Sequence, residues 1–266
     1  MININSQILF FGCGKMGSAI LHSFLEKNIN PKNISIIDPY IKDRIDDINY
    51  FSDISQIADN FKAELVIFAF KPQTAKEALL QISKYDIFHK NAVFISILAG
   101  KKLEFFAKLL DQDAKIIRIM PNLPIAIGQG ISAYIANDNL SHDEIEFVMN
   151  LWSKNIALKS EKEIDIFTAI AGSGPAYLFL FAKELINIAK KYNISDQDAR
   201  KMTVQMLYGS SKMLLDDNLN IDDLITSVTS KGGTTEAGLK EFEEGDFDNL
   251  LEKVVNAAKN RSEELE

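Results

Sequence analysis

The feature that most constrains the fold lies at the start of the chain. A short apolar run, 7–11 (QILFF), stops at Gly12 and opens into Gly12-Cys13-Gly14-Lys15-Met16-Gly17, with a helical pattern from Met16 to Leu25. A strand that ends in G-x-G-x-x-G and passes straight into a helix fits a dinucleotide-binding βαβ unit. Its glycines allow the tight turn, the approach of a pyrophosphate and close helix–strand packing, while the helix N-terminus offers N–H groups to the anion. The plainer alternative for these residues is a tight turn. The alternation continues along the chain. Strands are predicted at 33–37, 65–70, 92–98, 115–120 and 131–135, and helices at 74–82, 103–110 and 143–152. Continuous apolar strands alternating with helices predict a parallel-rich sheet covered on both faces, with right-handed crossovers. Residues 1–159 therefore read as a Rossmann-type α/β domain.

The pattern changes near Lys159. Residues 160–266 read as an all-α C-terminal domain, with helical segments at 163–192, 196–216, 221–228, 235–243 and 246–265. Gly172-Ser173-Gly174-Pro175 should kink or break the first of them. So much apolar helical surface predicts self-association. Within this domain lies a second glycine loop, Ser230-Lys231-Gly232-Gly233-Thr234-Thr235-Glu236. Thr234 or Thr235 is the expected N-cap of the following helix, and the junction offers an anion site. Two anion-binding loops of distinct type suggest one cofactor and one substrate.

Composition removes several alternatives. The net charge of −8 argues against nucleic acid or an anionic membrane as the main partner. A single cysteine, Cys13, forbids an internal disulfide and fits a reducing, cytoplasmic setting. The three histidines are far apart in sequence, so no metal site is expected. The N-terminus does not read as a signal peptide, and no apolar run is expected to reach the roughly 20 residues of a membrane span.

Taken in order, FGCGKMG (11–17), AFKPQ (69–73), SILAG (96–100), IRIMPNLPIAIGQG (117–130), AIAGSGPAY (169–177), VTSKGGTTEAGL (228–239) and NRSEEL (260–265) resemble the pyrroline-5-carboxylate reductases. The AGSGPAY and SKGGTT pair behind a Rossmann unit sets the chain apart from β-hydroxyacid-type dehydrogenases. The resemblance implies a Rossmann domain that binds NAD(P)H, an all-helical domain that dimerises, and a homodimer or higher homo-oligomer. It implies the last step of proline biosynthesis, in which a hydride reduces the C=N bond of 1-pyrroline-5-carboxylate to give L-proline. Alternatives are a reductase of another small cyclic imine or β-hydroxyacid-type substrate, and a non-catalytic dinucleotide-binding sensor.

By the same resemblance, Phe11, Gly12, Cys13, Gly14, Lys15, Met16 and Gly17 hold the pyrophosphate. Ala69, Phe70, Lys71 and Pro72 lie along the cofactor, and Ser227 contacts it. Pro121 and Asn122 end another strand on the same side and shape the pocket wall. The substrate carboxylate docks on Ser230, Gly233, Thr234 and Thr235, with Glu161 near the substrate. Ser230 and Thr235 carry the catalytic roles: Ser230 donates its hydroxyl, and Thr235 positions the ring nitrogen or relays a proton to it. Asp38 stands about 20 residues beyond the last glycine, where an acid bonds the ribose 2′-OH of NAD; its plainer role is a turn residue before Pro39. Many relatives have Ser, Asn or Arg there. Asp38 leans to NADH, while Lys42 and Arg44 are close enough in sequence to offset its charge. Two further departures are Lys231, in place of proline, and Glu236, in place of an apolar residue.

Overall fold

The computed structural model describes residues 2–152, 154–216 and 218–265. Its strands are β1 (Ile8–Phe11), β2 (Ile34–Ile37), β3 (Asn49–Phe51), β4 (Ala63–Phe68), β5 (Phe88–Ser96), β6 (Lys115–Pro121), β7 (Ile131–Ala136) and β8 (Lys154–Ala157). They form one eight-stranded sheet in the order β3-β2-β1-β4-β5-β6-β7-β8. The first six follow the doubly wound dinucleotide-binding order, which reverses between β1 and β4. All neighbours are parallel except β6 and β7, which run antiparallel in the register Ile119↔Tyr134.

Alternation along β1 explains why both faces are covered. Ile8 and Phe10 face a core shared with Ile20 and Phe24 of α1 (Lys15–Glu26) and Val148 of α4 (His142–Asn150). Leu9 and Phe11 face the opposite core, with Leu79 of α2 (Ala75–Ile82) and Phe106 of α3 (Leu103–Leu109). A period of two makes each strand residue commit to one layer. Trp152 closes the first core edge-on to Phe24, with centroids 6.1 Å apart.

The structure adds β3 and β8, which the sequence reading omits. Both are short, β8 exposed throughout and β3 only three residues beginning at the exposed Asn49, so neither carries a continuous apolar run. β5 begins at Phe88 rather than Ala92, its pairing with β4 shifting between Ala63 and Leu65.

Two compact units divide the chain. One comprises the residues through Ser173 together with those from Ala258 on; the other is Gly174–Ala257. The first runs past the change of sequence pattern at 159/160 because α5 (Glu163–Phe167) packs Ile164 and Phe167 against Met120 and Ala133. A π-helical turn, Thr168–Gly172, follows it, and the regular helix is interrupted at Ser173, within the expected Gly-Ser-Gly-Pro segment. Asn122 fastens this turn: its Nδ2 donates to the Ala171 carbonyl at 3.2 Å, while its Oδ1 accepts from Ile131 N–H at 2.9 Å.

The second unit contains α6 (Gly174–Lys191), α7 (Asp196–Met213), α8 (Ile221–Ser227) and α9 (Thr234–Glu244). It also holds most of α10 (Phe247–Glu264), whose last turns belong to the first unit. There the Ser262 hydroxyl donates to the buried Asp165 carboxylate at 2.7 Å. In contrast to the expectation for apolar runs, the helical stretch 163–191 is long and apolar enough to cross a membrane by length and composition, with mean hydropathy 1.5.

Candidate active site

The strand ladders continue past the carboxyl ends of β1 and β2. Gly12 N–H donates to Ile37 O at 2.9 Å, Ala69 N–H to Phe11 O at 2.8 Å, and Asp38 N–H to Phe51 O at 3.0 Å. The loop residues Gly12, Asp38, Ala69 and Ser52 are thereby gathered at one sheet edge, beside the reversal of strand order where α/β sheets bind ligands.

Each glycine of the loop has a separate physical reason. Gly12 sits at φ +83°, and a Cβ there would lie 2.9 Å from the Ala69 carbonyl oxygen. A Cβ on Gly17 would press on Gly12 O at 3.2 Å and Ala69 Cβ at 3.3 Å, so this glycine sets helix–strand packing. Gly14 has nothing within 4 Å, leaving the backbone open to a ligand. Gly14 is also the N-cap of α1, with no side chain capping the helix. The uncapped first turn leaves N–H donors and the positive helix end for an anion.

A cleft of ≈ 1020 Å³ surrounds this edge. Phe11, Gly12, Gly14, Lys15, Met16 and Asp38 line one part of it, and Ala69, Phe70, Lys71 and Pro72 another. An open glycine backbone, an uncapped helix start and a strand-end position together fit a dinucleotide. Cys13 and Gly17 support the loop from behind. Cys13 is buried; burial pushes its thiol above the ordinary 9.0, a hydrogen bond with Ser18 pulls it back in part, and the Asp38 charge adds to the rise. It packs as a small apolar residue.

Asp38 is held tightly. Its Oδ2 accepts the Cys13 N–H at 2.7 Å and its Oδ1 the Tyr40 N–H at 2.8 Å. Asp38 is thus a turn residue before Pro39, and it also lines the cleft. Tyr40, Ser52, Asp53 and Ile54 also line the cleft, and the sequence reading missed them. The available signal was the short run Asn49–Phe51 before Asp53, which is below ordinary strand length.

In the helical unit, the second glycine loop precedes α9. The N-cap is Gly233 rather than Thr234 or Thr235, and no side chain caps the helix. Gly232 takes φ +75°, and a Cβ on Gly233 would collide with Ser230, 2.4 Å from its Oγ. Thr234 is the first helical residue and Thr235 the second, so their N–H groups belong to the uncapped turn. Glu236 reaches back, its Oε2 accepting the Gly232 N–H at 2.6 Å. A hollow of ≈ 570 Å³ beside the loop is lined by Gly232, Gly233, Glu236 and Lys240, among others, but not by Ser230, Thr234 or Thr235. Ser227 closes α8, its hydroxyl donating to Leu224 O at 2.7 Å.

Glu161 lies in the sheet unit. Its Oε1 accepts from Arg118 Nη1 at 2.9 Å and from Leu103 N–H at 3.0 Å. Arg118, fully buried on β6, went unnoticed in the sequence; a lone arginine inside the apolar run KIIRIM was its signal.

Sheet order, glycine loop and cleft define a Rossmann-type, dinucleotide-dependent oxidoreductase followed by a helical module. Residues 161–265 match the family model for pyrroline-5-carboxylate reductase dimerisation, and 7–100 that for coenzyme F420-dependent NADP oxidoreductases. With 33% identity over 99% of both chains to the pyrroline-5-carboxylate reductase of Aquifex aeolicus, the chain belongs to the pyrroline-5-carboxylate reductase family. The Haemophilus influenzae enzyme of that name is 31% identical over 97% of each chain. Among solved structures, Plasmodium falciparum pyrroline carboxylate reductase with NADP bound superposes with a TM-score of 0.88, at 29% identity and 98% coverage of both chains. The Coxiella burnetii pyrroline-5-carboxylate reductase gives 0.85, at 28% identity and the same coverage.

Proposed function

We propose that this chain reduces 1-pyrroline-5-carboxylate to L-proline, the last step of proline biosynthesis, as a cytoplasmic homodimer or larger homo-oligomer. The observation that carries the reading is the pairing of two uncapped glycine-loop helix starts, at Gly14 and Gly233, in a chain that aligns end to end with named reductases. Bound NAD(P)H supplies the hydride that C5 of the imine receives, while the C=N electron pair takes up a proton on nitrogen.

The chain's own residues bind and orient. Gly12, Gly14 and the first N–H groups of α1 hold the pyrophosphate; Ala69, Phe70, Lys71 and Pro72 flank the rest of the dinucleotide. Ser230 and the N–H groups of Thr234 and Thr235 receive the substrate carboxylate. A neutral threonine is a poor acid, so Thr235 serves to position the ring nitrogen, whose proton comes with the iminium or is relayed through the hydroxyl. Residues 160–266 supply substrate binding and self-association, and the apolar stretch 163–191 is covered by a second copy. Glu161 and Ser227 already have partners within the chain, Arg118 and the Leu224 carbonyl, and would reach substrate and cofactor with their remaining acceptor positions.

The test is direct. Purified protein given 1-pyrroline-5-carboxylate should oxidise NADH or NADPH and form proline. Turnover of other cyclic imines or β-hydroxyacids alone would favour the neighbouring enzyme readings, and nucleotide binding without turnover would favour a sensor.

A further inference from the structure

We propose that the enzyme selects NADH over NADPH, and that Asp53 acts together with Asp38 to exclude a 2′-phosphate from the β2–β3 end of the cleft. The inference rests on the cleft being the dinucleotide site. The pairing of β2 with β3 runs on through the Asp38 N–H to the Phe51 carbonyl, so Asp38, Ser52 and Asp53 emerge side by side at the sheet edge, and all of them line the cleft.

The Asp38 carboxylate is fixed in place, because each oxygen already accepts one backbone N–H, from Cys13 or Tyr40. A carboxylate has about four acceptor positions, so capacity remains for ribose hydroxyls, which can donate to it. A phosphate ester, almost fully ionised near neutral pH, offers acceptors and negative charge instead. It would meet an anion that cannot swing aside without releasing the glycine loop.

Asp53 adds a second charge. Its Oδ1 accepts the Ser55 N–H at 2.8 Å, and hydrogen bonds from the Ser55 hydroxyl and backbone keep its carboxyl below the ordinary 3.8. The cations lining the cleft are Lys15, at the start of α1, and Lys71, beyond β4. Arg44, which sequence distance alone made a candidate to offset Asp38, rests over the Tyr50 ring at 5.3 Å. Lys42 is absent from the lining. Among the described residues, no ion pair joins Asp38 or Asp53 to a cation. The Plasmodium falciparum relative is seen with NADP bound, so the selectivity rests on the residues of this chain and not on the family.

The experiment measures kcat/KM for NADH and NADPH with 1-pyrroline-5-carboxylate, in the full-length protein and in Asp38→Asn and Asp53→Asn. Asparagine removes the charge and keeps one acceptor oxygen, so at position 38 one of the two backbone N–H groups, from Cys13 or Tyr40, loses its bond. NADH should be favoured by about tenfold or more in the unsubstituted enzyme. Each substitution should raise the NADPH value by about threefold to tenfold with a smaller change for NADH, and the gain should shrink at high salt. A preference for NADPH, or a ratio unmoved by both substitutions, overturns the inference; a ratio moved only by Asp38→Asn removes Asp53 from it. Dissociation constants of NADH and NADPH, read by nucleotide fluorescence, carry the test if Asp38→Asn fails to fold. They also separate the two claims: absence of turnover with either nucleotide counts against the reductase reading, while the binding ratio still decides the selectivity.

Discussion

Gly12 has no room for a side chain. Its φ of +83° and the Ala69 carbonyl oxygen 2.9 Å from a modest Cβ oppose substitution by two separate mechanisms, strain and collision. Gly12→Ala should therefore lower stability by about 1–3 kcal/mol and weaken NADH binding, measured by thermal melting and fluorescence titration. An alanine variant that melts and binds like the parent would mean the loop relaxes freely, against the close packing of β1 on β4. Sequence reasoning found Gly12 and Asp38 because their spacing after a strand is itself the signal. It could not find Asp53, whose position in the cleft depends on β3, a three-residue strand too short to register as one.

The links between elements were harder to read than the elements themselves. Glu161 joins the start of α3 through Leu103 N–H to the buried Arg118 on β6, with side-chain exposures of 21% and 2%. From family likeness a place near the substrate is expected; the observed bonds give it a structural task. Glu161→Ala removes the carboxylate that balances a buried guanidinium and should cost about 3–5 kcal/mol, seen as a lower Tm. Glu161→Gln separates the roles: an unchanged Tm with a raised KM would return Glu161 to the substrate, and the reverse keeps it in the ion pair.

The same scale governs acid sensitivity. Glu144 closes a capping box with Ser141 on α4 and accepts Lys115 Nζ at 2.6 Å. Burial works to raise its carboxyl above 4.5, but the bonds from Lys115 and Ser141 outweigh it and leave it lowered. A carboxyl lowered on folding stabilises fully above its ordinary value, and that contribution fades as pH falls through the lowered one. Between pH 7 and pH 3.5, the Tm of Glu144→Gln should fall by about 2–4 °C less than that of the parent. Equal falls would remove Glu144 from the acid response. Helices and central strands were legible from apolar runs. The antiparallel turn of β7 and the cap at Gly233 were not, because one depends on sheet neighbours and the other on a backbone angle that threonines do not reveal.

At the scale of the whole molecule, the helical unit buries little of its own apolar surface. Phe179, Leu180, Met206 and Leu250 are between 46% and 58% exposed, and α8 and α9 have no buried residue. Apolar area of that extent marks an interface, in keeping with the dimerisation model that matches 161–265. Sedimentation should show at least two chains per particle and a Tm that rises with protein concentration. Phe179→Asp with Leu180→Asp should shift the particle toward single chains; retained mass and Tm would place the interface elsewhere. The sequence foretold self-association from apolar content alone, but which faces meet is a property of two chains.

The bond from Ser262 to Asp165 has a consequence for the order of events in the cell. Translation delivers Asp165 well before Ser262. Until the final helix emerges from the ribosome, a carboxyl group destined for burial lacks the hydroxyl that meets it there. The first unit is thus completed only after the second has been made, and a stop codon before Ser262 would leave the buried Asp165 carboxylate of the sheet unit without that partner.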